Sequence, residues 1–156
     1  MDQMPVSREE ELSRSLEELE MARMRLESLS KQAELLQASL GEHARAIETV
    51  RAVSTLKEGT EILVPVGAGT FVPARSSGAG HAIVGVGAGV SVERSTEEAL
   101  AKLEKDAAEL ELAQTKIIQE IRNVEKQAGL LSQRIQALQR ELEEGAPEAA
   151  GAGEEE

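Results

Sequence analysis

EILVPVGAGTFVPAR occupies residues 61–75, and HAIVGVGAGVSVER follows at residues 81–94. Both are short runs of Val, Ile and Phe broken by Gly-Ala-Gly, the pattern of a strand, a tight glycine turn and a returning strand. Four strands are predicted: Glu61 to Val66, Thr70 to Arg75, His81 to Val86 and Val90 to Arg94, with Ser76 to Gly80 linking the two hairpins. Setting VPVGAGTFV (64–72) over VGVGAGVSV (84–92) matches six of nine residues at a spacing of 20, as a duplicated hairpin would. Pro65 and Pro73 have no amide hydrogen to donate to a ladder, which places them at strand edges or bends.

Two such hairpins do not stand alone. A lone hairpin is marginal in water, and its open edges call for partners. The expectation is that hairpins of several chains join into a closed barrel or shared sheet. The pairing residues would be Ile62, Val64, Val66, Phe71 and Val72 in the first hairpin, and Ile83, Val84, Val86, Val90 and Val92 in the second.

Composition changes on either side of the insert. Over residues 7–58, Ser7 and Glu10 have the spacing of a capping box, and apolar residues then recur in four–three steps from Leu12 to Val50, broken only at Ser15 and His43. Over residues 95–144, Ser95 and Glu98 repeat the capping spacing, and the seam runs from Leu100 to Leu142, broken only at Gln114. Gly145 and Pro147 then stop the helix. Such a sustained heptad predicts coiled-coil helices, and their similar lengths around a compact insert predict an antiparallel pair. The fold class is thus mainly α with a small β part: a coiled-coil hairpin (7–58 and 95–144) with two β-hairpins (59–94) inserted, flanked by a disordered start (1–6) and an acidic disordered tail (145–156).

Composition narrows the chemistry. The 156 residues include one aromatic, Phe71, yet 40% are hydrophobic, so apolar surface is buried along helix seams rather than in an aromatic-rich globular core. A net charge of −12, with basic residues scattered among acids, argues against nucleic acid and anionic membranes as partners. There is no Cys, no basic-then-apolar leader and no apolar run of membrane-spanning length, so a cytoplasmic protein is expected. Neither Gly-Ala-Gly turn completes a GxGxxG phosphate loop, because Val72 and Val92 stand at the final positions. His43 falls on the seam and His81 opens a strand. Without a second histidine or a nucleophile beside either, no catalytic site, cofactor or metal is expected, and the chain is not read as an enzyme. His43 and Gln114 read as polar notches that help set helix register, about one to two turns apart in the antiparallel pairing.

Away from the insert, the helix ends gather all four methionines, Met1, Met4, Met21 and Met24, within the first 24 residues. Methionine surfaces adapt to varied partners. The candidate apolar contacts there are Met4, Val6, Leu12 and Leu16, joined across the antiparallel pair by Leu138 and Leu142.

LKEGTEILVPVGAGTFVPAR (56–75) followed by HAIVGVGAGVSVERS (81–95), between two long heptad helices, resembles the alpha subunits of prefoldin, the archaeal-type co-chaperone. Two hairpins are the pattern of the alpha class; the beta class carries one. The resemblance implies a hexamer of two alpha and four beta-type subunits, with a double β-barrel platform and six projecting coiled coils. It further implies tips that hold non-native polypeptides without ATP and pass them to a group II chaperonin. The alternative from the same heptads is a structural coiled-coil adaptor without holdase activity.

Overall fold

A computed structural model describes residues 7–145; the disordered start expected at 1–6 and the tail beyond Gly145 lie outside the described residues. The element order is α1 (Arg8–Ser54), β1 (Glu61–Gly67), β2 (Thr70–Arg75), β3 (His81–Gly87), β4 (Val90–Ser95) and α2 (Thr96–Glu144).

The helix starts are those the capping signals predict. Ser7 N–H donates to Glu10 Oε2 and Glu10 N–H donates to Ser7 Oγ, each at 3.2 Å, a complete reciprocal box. At α2, Glu98 N–H donates to Ser95 Oγ at 3.2 Å. Each bond satisfies a donor that the first helical turn leaves without a backbone partner. The end of α1 is tighter than its glycine stop suggests. Thr55 and Leu56 N–H donate to carbonyls three residues back (Ala52 and Val53), while the Ser54 and Thr55 hydroxyls donate to the Arg51 and Ala52 carbonyls. The helix therefore finishes at Ser54 in a 3₁₀-like turn, and Gly59, with φ +80°, serves the bend that follows instead.

Two compact units divide the chain. One joins the described residues 7–34 and 115–145, the other spans 35–114. In the first, Leu19, Leu29, Val124, Ile135 and Leu138 are buried. As α1 advances from Arg8 through Glu11 to Arg25, its ionic partners retreat from Glu141 through Arg134 to Glu120, the antiparallel order. These pairs are solvent-exposed, worth at most about 1 kcal/mol each, whereas a fully buried Leu or Ile contributes about 1.5–3 kcal/mol. Stability rests on the seam, and the ion pairs fix its register. In the second unit the same order continues from Gln37–Gln114 (2.6 Å) to Arg51–Glu104. Every position of both predicted seams is buried or half-buried, and none is exposed.

The insert holds two separate two-stranded antiparallel sheets, β1–β2 and β3–β4. They are copies of one another. Val64 pairs with Val72 and Val84 with Val92, and each register slips by one residue just before the turn, at Val66 and at Val86. The turn angles repeat as well: φ is +101°, +50° and +70° at Gly67, Ala68 and Gly69, and +105°, +51° and +74° at Gly87, Ala88 and Gly89. Positive φ at both loop residues is the turn whose twist suits a hairpin. The extra residue in one strand is a β-bulge. Repetition of sequence at a spacing of 20 is thus repetition of structure.

Candidate functional site

Apolar surface is left uncovered in two places, one in each unit. In the first unit, a groove of about 710 Å³ is lined by Met21, Ala22, Val124, Leu130 and Leu131, with Glu18, Arg25 and Arg134 on its rim. Met21 and Leu130 are each 58% exposed. Neither is a seam residue. A seam of four–three steps turns the seam residues inward and leaves any other large apolar residue facing out. The sequence signal for this groove was therefore the apolar residues that break the heptad rule, and the expectation built on the seam did not include Met21 or Leu130.

The residues expected at that end separate. Met4 and Val6 lie outside the described residues. Leu16 is exposed, Leu12 and Leu142 are half-buried, and Leu138 is only 1% exposed. Leu138 fills the seam between the helices, so its side chain is spent on the chain's own core and has no face to offer a partner in this arrangement.

On the hairpins the expected pairing residues form two groups. Val64, Val66, Phe71, Val72, Ile83, Val86 and Val90 are exposed, Ile83 most of all at 78%. Ile62, Val84 and Val92 are half-buried. Val84 lines a cleft with Val50, Ala99 and Leu103, and Ile62 lines another with Val53 and Leu56. Strand residues alternate between faces, so each hairpin turns some of its apolar residues toward the helix ends and leaves the rest open.

The polar candidates have modest surroundings. His43 Nδ1–H donates to the Ser39 carbonyl at 2.8 Å, one helical turn back, while Gln114 Nε2–H donates to Gln37 rather than standing alone on the seam. Each notch is satisfied by a different partner. His81 Nε2 lies 3.3 Å from Glu93 Oε1 across β3 and β4. Among the described residues no group of three or more His, Asp or Glu stands together as a metal site, and no helix is long and apolar enough to cross a membrane.

Comparison with known proteins agrees with this architecture. The family described as Prefoldin subunit matches residues 22–141. The chain is 34% identical over 115 residues to the prefoldin subunit alpha of Methanoculleus marisnigri, covering 74% of this chain and 76% of that protein. Among solved structures it is similar to filamentous PFD from Methanocaldococcus jannaschii (TM-score 0.65, 26% identity, 74% of this chain and 95% of that one). It also shares its fold with the prefoldin beta subunit of Thermococcus strain KS-1 (TM-score 0.55, 16% identity, 81% of this chain and 90% of that one). Two heptad helices around a duplicated hairpin, and a family match across most of the chain, lead to one conclusion: this chain belongs to the prefoldin family, in its alpha class.

Proposed function

We propose that this chain is the alpha subunit of a cytoplasmic, ATP-independent holdase. It would assemble with beta-type subunits, two alpha to four beta, through a platform of joined hairpins. It would hold non-native polypeptides at its coiled-coil tips and release them to a group II chaperonin. The observation that carries the reading is the placement of uncovered apolar surface: one part on paired hairpins too small to be stable alone, the other in the groove of Met21 and Leu130. Each tip need bind only weakly, because several linked tips raise the effective concentration of the next contact. No catalytic step is part of this role. Leu12, Leu16 and Leu142, with Met4 and Val6, are proposed to extend the tip surface; the hairpin valines, Ile62, Ile83 and Phe71 are proposed to build the platform.

Light scattering of a denatured protein diluted into the assembled complex tests this. The complex suppresses aggregation, and both deletion of 1–16 and the double change Met21→Ser with Leu130→Ser reduce suppression without dissociating the complex. If the assembled complex leaves aggregation unchanged, the holdase role is wrong. A stable complex with one folded partner, indifferent to unfolded chains, would point to an adaptor instead.

A further inference from the structure

The two hairpins are copies in backbone, but their edges differ. Beyond the strand base, Ser76 N–H donates to the Thr60 carbonyl at 2.9 Å, and Thr96 N–H donates to the Gly80 carbonyl at 3.0 Å. These bonds set the phase of each ladder, since hydrogen-bonded and non-hydrogen-bonded pairs alternate in antiparallel strands. In the first hairpin, 62/74 and 64/72 are then the bonded pairs, and 61/75, 63/73 and 65/71 turn their backbone groups outward. Pro65 and Pro73 both fall in outward pairs. Each outer edge of the first hairpin therefore has a gap where a donor should be: β1 at Pro65, β2 at Pro73. The same phase in the second hairpin turns 81/95, 83/93 and 85/91 outward. Its counterparts to the prolines are Gly85 and Glu93, which keep their N–H groups, so β3 offers His81, Ile83 and Gly85 and β4 offers Ser91, Glu93 and Ser95 as unbroken rows of donors.

We infer that the second hairpin is the strand-accepting edge of this subunit, taking the edge strand of a beta-type prefoldin subunit by backbone ladder, and that Pro65 and Pro73 close the first hairpin to the same pairing. Proline on an edge is a recognised block to strand addition. Here it has a topological consequence. Were both hairpins open, the first of one copy could accept the second of the next, a head-to-tail contact that does not close and so propagates. With the first hairpin blunted, copies of this chain can join by their edges only second hairpin to second hairpin, which ends at a pair. Any larger ladder must draw its strands from a different chain. The first hairpin then contributes to assembly through its apolar face, where Leu63 and Phe71 are exposed.

This inference rests on the assembly proposed above, and two arms of one experiment separate them. Pro65→Gly with Pro73→Glu gives the first hairpin the residues of the second. Sedimentation of the isolated variant should show assemblies that grow with concentration, whereas the parent chain stops at a pair or below. Gly85→Pro with Glu93→Pro removes the donors of the second hairpin at positions where the first already carries proline in the same backbone. It should weaken binding to a purified beta-type prefoldin subunit by about tenfold or more. Gly85→Ala with Glu93→Gln keeps both N–H groups and should bind like the parent. Growth of the parent chain alone, no growth of the first variant, or full binding by the second would each overturn the inference. Should the parent fail to bind the beta-type subunit at all, the assembly reading falls, and the self-association arm still decides whether the prolines block propagation.

Discussion

Gly78→Ala isolates the point where the hairpin linker is held against the rest of its unit. Gly78 has φ +65°, and a Cβ built there would lie 2.9 Å from Glu58 Cβ, 3.0 Å from Glu58 N and 3.1 Å from Glu58 Cα. Two of those atoms are backbone and cannot swing away. The left-handed conformation costs an alanine about 1–2 kcal/mol, and overpacking against a fixed neighbour adds about 1–3 kcal/mol. Lower entropy of the unfolded alanine chain returns about 0.4–1 kcal/mol. The net loss is about 1.5–4 kcal/mol, which at about 2–4 °C per kcal/mol for a chain of this size lowers Tm by roughly 4–15 °C. Two other glycines provide the controls. Gly69 has φ +70° with nothing within 4 Å, so Gly69→Ala bears the backbone cost alone, about 1 kcal/mol or less after the entropy term. Gly80 has neither a positive φ nor a neighbour within 4 Å, so Gly80→Ala is expected to raise Tm by about 1–3 °C. The assay is thermal unfolding by circular dichroism, with amide exchange at Gly59 and Ser76, whose N–H groups bond to the Ser76 and Thr60 carbonyls and clamp the linker. If Gly78→Ala melts no lower than Gly69→Ala, the close approach to Glu58 is not a constraint and the reasoning fails.

Leu138→Ala is expected to cost about 2–5 kcal/mol as a seam cavity, while Leu130→Ala, at 58% exposure, shifts stability by no more than about 0.5 kcal/mol; equal melting temperatures would refute the assignment of seam and groove. Ala68→Asn and Ala88→Asn relieve positive φ at a residue type that favours it less, so each is expected to raise stability by up to about 1 kcal/mol. Because they sit in separate sheets their effects on Tm should add, and a null result in both would show that the turns are not strained. The Lys31 ammonium, 2.7 Å from Glu27 Oε1, holds the Glu27 carboxyl below its ordinary range through a hydrogen bond and then through charge. The contribution of this exposed pair is complete above the ordinary Glu range and disappears as pH falls through the depressed value. In an NMR titration Lys31→Ala should move the Glu27 midpoint upward, and an unmoved midpoint would remove the pair as its cause.

Much of the fold was legible because its signals are local and periodic. Four–three steps from Leu12 to Val50 and from Leu100 to Leu142 name the seam residue by residue, since a helix repeats its faces every turn whatever lies opposite. The Gly-Ala-Gly turns and the repeat at a spacing of 20 locate the hairpins for a similar reason: a two-residue turn with positive φ restricts its residues without help from afar. The candidate site was legible only in part. Leu138 and Leu16 look alike as apolar residues near a helix end, yet one is buried and the other exposed, because spacing states which way a side chain points but not how close the opposite helix comes.

Composition, heptad and turn chemistry already required long paired helices, a duplicated hairpin and a chain that needs partners, for a two-stranded sheet with open edges cannot be a finished structure. Three features waited for the folded chain: the groove of Met21 and Leu130, the packing of Val84 beneath its own hairpin, and the phase that turns both prolines outward. Each depends on residues distant in the sequence meeting at a particular depth or register. A register shifted by one residue would reverse every face of a strand, so the same two prolines acquire their meaning only once the ladder is set.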